Sequence, residues 1–336
     1  METPYYILDK RQLEKNYQHL DSLCKKILKN YQICYSVKTN SLPEVIKILK
    51  NQGSSFEVAS LNEIKLIPKA FTIFNGPCKT KEELNIAIKN KFLINIDNKQ
   101  EIDLISKLTK NKKIDIGIRV SIKDSKFGIP INKLKNIILY STSKNLNPIC
   151  IHFHQGTQVS IETYEKNLKI LNQQLKKLNL KPKYIDIGGG IPSKQQLKNI
   201  NKTIEDYLLL IKKYLSSSTI ILEPGRYLVA DSMKLITKVH YIKNSFNKKY
   251  AILDAGINLL PKITLARYNF KKISKDNNEK KEQYILAGPL LFSNDIIGKF
   301  TGNLKQNDLI EISNVGAYCL NLSWEISYKK PKVLIK

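Results

Sequence analysis

The side chains able to do chemistry in this 336-residue sequence sit at the ends of short β-branched runs. Lys38 closes ICYSVK, Glu57 lies in SFEVAS, Arg119 in IDIGIRVS, and His154 ends ICIHFH. The triple glycine Gly188, Gly189 and Gly190 follows YIDI, and Glu223 and Arg226 close TIILEPGR. An amine, an imidazole, carboxylates, a glycine turn and a guanidinium meeting in one place suit a phosphorylated carbonyl compound. The amine forms an imine with the carbonyl, glycine amides approach the phosphate with no side chain between, and the guanidinium neutralises it.

For these residues to meet, the chain must bring many strand ends to one mouth. Eight runs read as strands: 33–38, 55–60, 71–76, 92–97, 114–121, 149–154, 184–189 and 219–225. Between them lie stretches with apolar residues three and four apart, such as LPEVIKILKNQ, LNEIKLIPKA and YEKNLKILNQQLKKLN, the pattern of amphipathic helices. Eight β/α units predict an α/β fold, a (β/α)8 TIM-type barrel over residues 10–232, in which strand C-termini face one mouth. Beyond it the helical period fades, and MKLITKVHYIKNS, YAILDAG, YILAGPL, DLIEISNVGAY and KVLIK predict a β domain over 233–336, joined by residues 1–9. The polar segment NFKKISKDNNEKKEQ (269–283) is expected to be a mobile surface loop.

Composition excludes several other classes. The formal charge is +27, but only four of the 56 basic residues are arginines (Arg11, Arg119, Arg226, Arg267) and the lysines are spread along the chain. Readers of bases and phosphates favour clustered arginine forks, so a solvated lysine surface is expected and no nucleic-acid partner. No apolar run approaches the roughly 18 residues that span a bilayer, and METPYYILDK has no secretion-signal pattern, so no membrane association and a cytoplasmic location are expected. Five scattered cysteines without C-x-x-C spacing predict reduced thiols and neither a disulfide framework nor a metal site.

YSVKTNSLPEVIKIL resembles the lysine segment of the ornithine/diaminopimelate decarboxylases, the fold type III enzymes that use pyridoxal 5′-phosphate (PLP). FEVASLNEI, FNGPCKTKEEL, IRVSIKDSKFGIP, IHFHQGTQ, YIDIGGGIP, ILEPGRYLVA, ILDAGIN, AGPLLFSNDIIG and VGAYCLN resemble family segments in the same order. The resemblance implies a PLP-binding barrel with a β domain, and a head-to-tail homodimer in which each β domain completes the partner's site. It implies that Lys38 is the Schiff-base lysine, that His154 stacks on the cofactor ring and that Glu223 bonds the pyridine nitrogen. Gly188, Gly189, Gly190, Gly225, Arg226 and Tyr318 would bind the cofactor on its phosphate side. Glu57 stands where the family usually has an aspartate near the lysine, and Arg119 would hold Glu57 or the inner shell.

A carboxylate at the pyridine nitrogen keeps it protonated and the ring a good electron acceptor, so Glu223 favours decarboxylation over racemisation. The family segment Gly-Pro-x-Cys-Asp/Glu-Ser reads Gly288-Pro289-Leu290-Leu291-Phe292-Ser293 here, so Leu291 and Phe292 replace a proton-donating cysteine and an acid. Lys262, Arg267 and Tyr268 fall where diaminopimelate-type members hold a distal carboxylate, which implies a diaminopimelate-like or siderophore-type amino-acid substrate with an anionic end. The missing cysteine leaves two further readings open, an idle PLP-binding regulator and a PLP racemase.

Overall fold

The computed structural model describes residues 2–261, 266–273 and 281–336. Contacts divide the chain into two compact units, Lys15–Tyr227 and Met1–Glu14 with Leu228–Lys336.

The first unit is a closed barrel of eight parallel strands: Tyr31–Ser36, Ser55–Val58, Thr72–Phe74, Leu93–Ile96, Ile114–Ser121, Leu146–His152, Tyr184–Asp186 and Thr219–Leu222. A two-residue strand, Ile129–Pro130, adds onto Ile114–Ser121. The barrel strands are buried on both faces, so near-continuous apolar runs mark them better than strict alternation. The intervening helices begin where side chains can accept the free backbone N–H groups. Thr80 forms a capping box with Glu83 on Lys81–Lys89, Thr203 does so with Asp206 on Ile204–Leu215, and Ser160 caps Ile161–Lys177. The last buries Tyr164, Leu168, Leu171 and Leu175 at helical spacing. The stretch LNEIKLIPKA is helical only over Leu61–Ile64, because Pro68 disfavours helical backbone at the residue before it.

Two strand ends differ from the sequence reading. The first strand stops at Ser36, and Lys38 stands on the 3₁₀ turn Val37–Thr39. The sixth stops at His152, leaving His154 in the loop that turns at Gly156, where φ is 127°. Inside the barrel, Cys34, Ile73, Leu93, Cys150 and Ile221 form a buried apolar layer. Two residues further along the same strands come Ser36, Asn75, Asn95, His152 and Glu223. Since side chains two apart in a strand share a face, a polar layer lies directly on the apolar one.

The second unit is an eight-stranded, mostly antiparallel sheet around Met233–Ser245, which pairs with Tyr5–Leu8, Lys248–Leu253 and Leu309–Ser313. Tyr5–Leu8 pairs in parallel with Val333–Ile335. Within the expected surface loop 269–283, Asn269–Lys272 is instead a strand on Leu309–Ser313. Its ladder supplies the order that a sparse apolar pattern did not announce, and Phe270 packs over Gly298. Residues 274–280 of that loop lie outside the described residues.

Candidate active site

The polar layer is a connected hydrogen-bond network. Lys38 Nζ donates to both Glu57 oxygens at 2.9 and 2.7 Å, and Ser36 donates to the same carboxylate. Asn75 Nδ2 bridges Glu57 Oε1 at 3.1 Å and Glu223 Oε1 at 2.6 Å. Asn95 Nδ2 donates to Asn75 Oδ1 at 2.8 Å and to Asp186 Oδ2 at 3.2 Å, and Gly188 N donates to Asp186 Oδ1 at 2.9 Å. Asn95 crosses the barrel interior because Gly117 opposite has no side chain, where a Cβ would strike the Asn95 amide. His152 Nε2 lies 3.8 Å from Glu223 Oε2, and neither ring nitrogen of this buried imidazole has a hydrogen-bond partner. One potential ligand atom from each of His152, Asp186 and Glu223 falls within 4.8 Å of the others. Amide donors already occupy three of the four oxygens on the two carboxyls, an arrangement suited to sharing a proton rather than gripping a cation.

Burial divides the carboxyls by role. Glu57 feels a desolvation penalty, but the Lys38 charge and hydrogen bonds from Lys38, Ser36 and Asn75 outweigh it and hold its carboxyl below the ordinary range. Glu223 is pushed well up by burial and by the charges of Asp186 and Glu57. Asp186 is raised by burial to about 7 even though Gly188 N and Asn95 Nδ2 donate to it. Burial and mutual repulsion thus favour a proton on the Glu223–Asp186 pair. His152 is kept neutral by burial and by the nearby cations.

The rim surrounds this layer. His154 is exposed at the rim, with Gly188 and Gly189 packed close to it. Partial loss of water, then the Lys38 and Arg119 charges, pull its pKa down to about 4. Arg119, expected to hold Glu57 or the inner shell, faces Asp97 at 3.8 Å rather than Glu57 and stacks over the Phe127 ring at 4.5 Å. Glu57 is already satisfied by Lys38, Ser36 and Asn75. A cavity of about 550 Å³ opens beside this wall, lined by Arg119, Lys123, Phe127, His154, Gln155 and Lys166 among others, with no acidic side chain. Both amide atoms of the buried Gln155 lack hydrogen-bond partners.

The glycines form a cradle that side chains would fill. Gly188 and Gly190 have φ of 64° and 93°, backbone that L-residues rarely adopt. A Cβ on Gly189 would lie 2.8 Å from the Glu223 carbonyl oxygen, and one on Gly190 2.6 Å from the Gly156 carbonyl oxygen. Gly225 leaves room for Thr39 Oγ1, a buried hydroxyl without a hydrogen-bond partner, and Arg226 beside it is buried.

In the β unit, Tyr318 has φ of 68° and opens the short helix Cys319–Leu322. Tyr268 is buried, its hydroxyl 3.2 Å from Cys319 Sγ, and Arg267 is exposed. Asp295 pins the segment from Gly288 by accepting from Ile257 N and Leu290 N, and Leu291 is fully exposed at its tip with Phe292 partly so. Lys262 lies outside the described residues.

Sequence reading missed His152, Asp186, Asn75, Asn95 and Asp97. The signal was present. His152 precedes His154 by two in IHFH, and Asn75, Asp97 and Asp186 stand at strand ends in FNG, NID and YID.

An amine beside a buried carboxyl, an unpartnered buried hydroxyl, and a glycine cradle next to a buried arginine fit a phosphorylated pyridine aldehyde, placing the molecule among barrel enzymes that use PLP. The family profile "Pyridoxal-dependent decarboxylase, pyridoxal binding domain" matches residues 12–230. The chain is 30% identical to the diaminopimelate decarboxylase of Campylobacter jejuni over 96% of this chain and 87% of that protein. The crystal structure of Helicobacter pylori diaminopimelate decarboxylase complexed with L-lysine superposes with a TM-score of 0.87 at 26% identity, covering 100% of this chain and 92% of that one. The diaminopimelate decarboxylase of Aquifex aeolicus is 27% identical over 96% of this chain and 83% of that protein. The chain belongs to the pyridoxal-dependent decarboxylase family: it is an amino-acid decarboxylase, and its cofactor is PLP. Among the described residues no helix is long and apolar enough to cross a membrane.

Proposed function

We propose that the chain decarboxylates a diaminopimelate-like amino acid with an anionic distal end, using Lys38 to hold the carbonyl carbon of PLP and Glu223 to hold its pyridine nitrogen. The single observation that carries this reading is the Lys38–Glu57–Asn75–Glu223 linkage, which fixes an amine and a buried carboxyl on one polar layer. When bound, PLP supplies a carbonyl carbon for an amine and a protonated ring that takes up the electron pair left by carbon dioxide.

This chain's residues do the rest. Glu57 orients the Lys38 amine and neutralises its charge. Asn75 keeps the Glu57 and Glu223 carboxyls in register, and burial raises the proton affinity of Glu223, the carboxyl that would face the pyridine nitrogen. His154, kept neutral, offers a flat face without an added positive charge. The backbone at Gly188, Gly189, Gly190 and Gly225, with the Arg226 guanidinium, would hold the phosphate. Arg119 takes the role of shaping the wall with Asp97.

The basic, acid-free lining of the cavity beside His154 supports an anionic distal group, as do the diaminopimelate decarboxylases among the relatives. The family resemblance supports a homodimer in which Tyr318, Arg267, Tyr268, Lys262, Leu291 and Phe292 come from the partner's β unit. Leu291 has no proton to give, so the residue that reprotonates the product is another group, the Lys38 amine first.

Reduction of the PLP-loaded protein with borohydride followed by peptide mapping should find the cofactor on Lys38, and carbon dioxide should be released from meso-diaminopimelate in preference to lysine or ornithine. Cofactor on another lysine refutes the site. Cofactor on Lys38 with no turnover of any amino acid points to the regulator reading.

A further inference from the structure

The polar layer holds more carboxyl groups than the reaction needs. Glu57 neutralises Lys38 and Glu223 faces the position assigned to the ring nitrogen, but Asp186 has no such task. It is completely buried, and its oxygens are fixed by Gly188 N at 2.9 Å and Asn95 Nδ2 at 3.2 Å. Both donors belong to the site: Gly188 opens the glycine cradle, and Asn95 is tied to Asn75, the donor to Glu223. Asp186 is thus locked beside Glu223 by the same groups that organise the cofactor's cradle.

We infer that Asp186 is a positioning residue that sets the protonation of the cofactor's pyridine nitrogen through Glu223. The inference rests on the assignment of Glu223 to that nitrogen. The two buried carboxyls lie with one oxygen of each within 4.8 Å on adjacent strands, close enough to hold one proton between them. A pyridine nitrogen held in front of Glu223 would take that proton, and both carboxyls would be left as carboxylates. Two negative charges in a buried layer then hold the proton on nitrogen more tightly than one, because like charges in low dielectric raise each other's proton affinity. The other titratable groups facing the pair do not replace this effect. Lys38 and Glu57 compensate each other, His152 is neutral, and Cys34 and Cys150 below are kept as thiols by burial.

The test reads the nitrogen itself, in holoprotein loaded with PLP carrying ¹⁵N in the ring, by following the nitrogen resonance against pH. Wild type should stay protonated well into the alkaline range, and Glu223→Gln should lose that protonation. Asp186→Asn, nearly isosteric, should titrate at least about tenfold more easily, one pH unit or more lower. His152→Gln disturbs the same layer without removing a negative charge and should leave the titration in place. Asn95→Leu strips a donor from Asp186, favours its protonated form and should shift the nitrogen in the same direction as Asp186→Asn, which keeps the test available if Asp186→Asn does not fold. An Asp186→Asn or Asn95→Leu protein that titrates with wild type overturns the inference, as does an equal shift in His152→Gln. If Glu223→Gln itself leaves the nitrogen protonated, the assignment of Glu223 fails and takes this inference with it.

Discussion

Replacing Lys79 by methionine should be among the most damaging single changes in the barrel, although Lys79 touches none of the reacting groups. Lys79 and Glu101 face each other with side chains 1% and 6% exposed. Lys79 Nζ donates to both Glu101 oxygens at 3.1 and 2.9 Å and to the Gly76 carbonyl oxygen at 2.7 Å. Glu101 also accepts from Asp97 N at 2.9 Å. The pair therefore ties the loop after Thr72–Phe74 to the loop after Leu93–Ile96, the two loops that carry Asn75 and Asp97. Methionine keeps most of the stem and removes the ammonium, leaving the Gly76 carbonyl without its donor. The Glu101 carboxyl, which burial already pushes up against the pull of Lys79, must then take a proton. Breaking one side of a buried pair costs about 3–5 kcal/mol, a large share of the roughly 5–15 kcal/mol by which domains are stable. The double substitution Lys79→Met/Glu101→Leu also leaves the Gly76 carbonyl unpaired and strands the Asp97 N–H, but it leaves no buried carboxyl without its cation, so it should cost less than the single change, toward the low end of about 1–3 kcal/mol for each stranded group. Urea unfolding of the apoprotein followed by circular dichroism measures both, and PLP titration should show weaker binding by Lys79→Met because Asn75 loses its anchor. A single variant within about 0.5 kcal/mol of wild type, or a double variant worse than the single, would refute the clamp.

Three further outcomes are expected. Lys38→Ala should bind PLP reversibly, so that dialysis strips it, whereas wild type retains it; cofactor held equally well by both would remove Lys38 from its role. Gly190→Ala places a side chain at φ 93° and against the Gly156 carbonyl, a strain of about 1–3 kcal/mol that should weaken PLP binding by one to two powers of ten, measured by equilibrium titration; unchanged affinity would place the phosphate elsewhere. His154 sits at about 4 in the folded chain against 6.5 as its ordinary value, so between those values the unfolded chain binds more protons and acidification removes stability. Asp186, raised from 3.8 to about 7, acts in the opposite sense over an overlapping window, so the readout is the difference between wild type and His154→Gln. The variant's unfolding midpoint should fall less than that of wild type from pH 7 to pH 5, and parallel curves would contradict the lowered pKa.

Much of the barrel was legible in the chain because parallel strands buried on both faces write themselves as apolar runs, and the connecting helices write a 3.6-residue period. Lys38, His154, the glycines and Glu223 were visible for the related reason that barrel chemistry gathers at strand C-termini. Which partner each side chain takes was not legible. Arg119 and Glu57 are plausible mates by charge alone, yet the barrel's closure puts Arg119 against Asp97, and Glu57 against Lys38, Ser36 and Asn75. Asn269–Lys272 looked like a loop because an edge strand is held by its ladder, whose partner Leu309–Ser313 lies some forty residues further on. The Asp186–Glu223 pair was the deepest omission, two acids 37 positions apart whose proton affinities rise only because adjacent strands bring them together and burial excludes water from both. Residue types and their period are local properties that the sequence determines by itself, whereas proton affinities depend on distance and exclusion of water, and those are set only when the barrel closes.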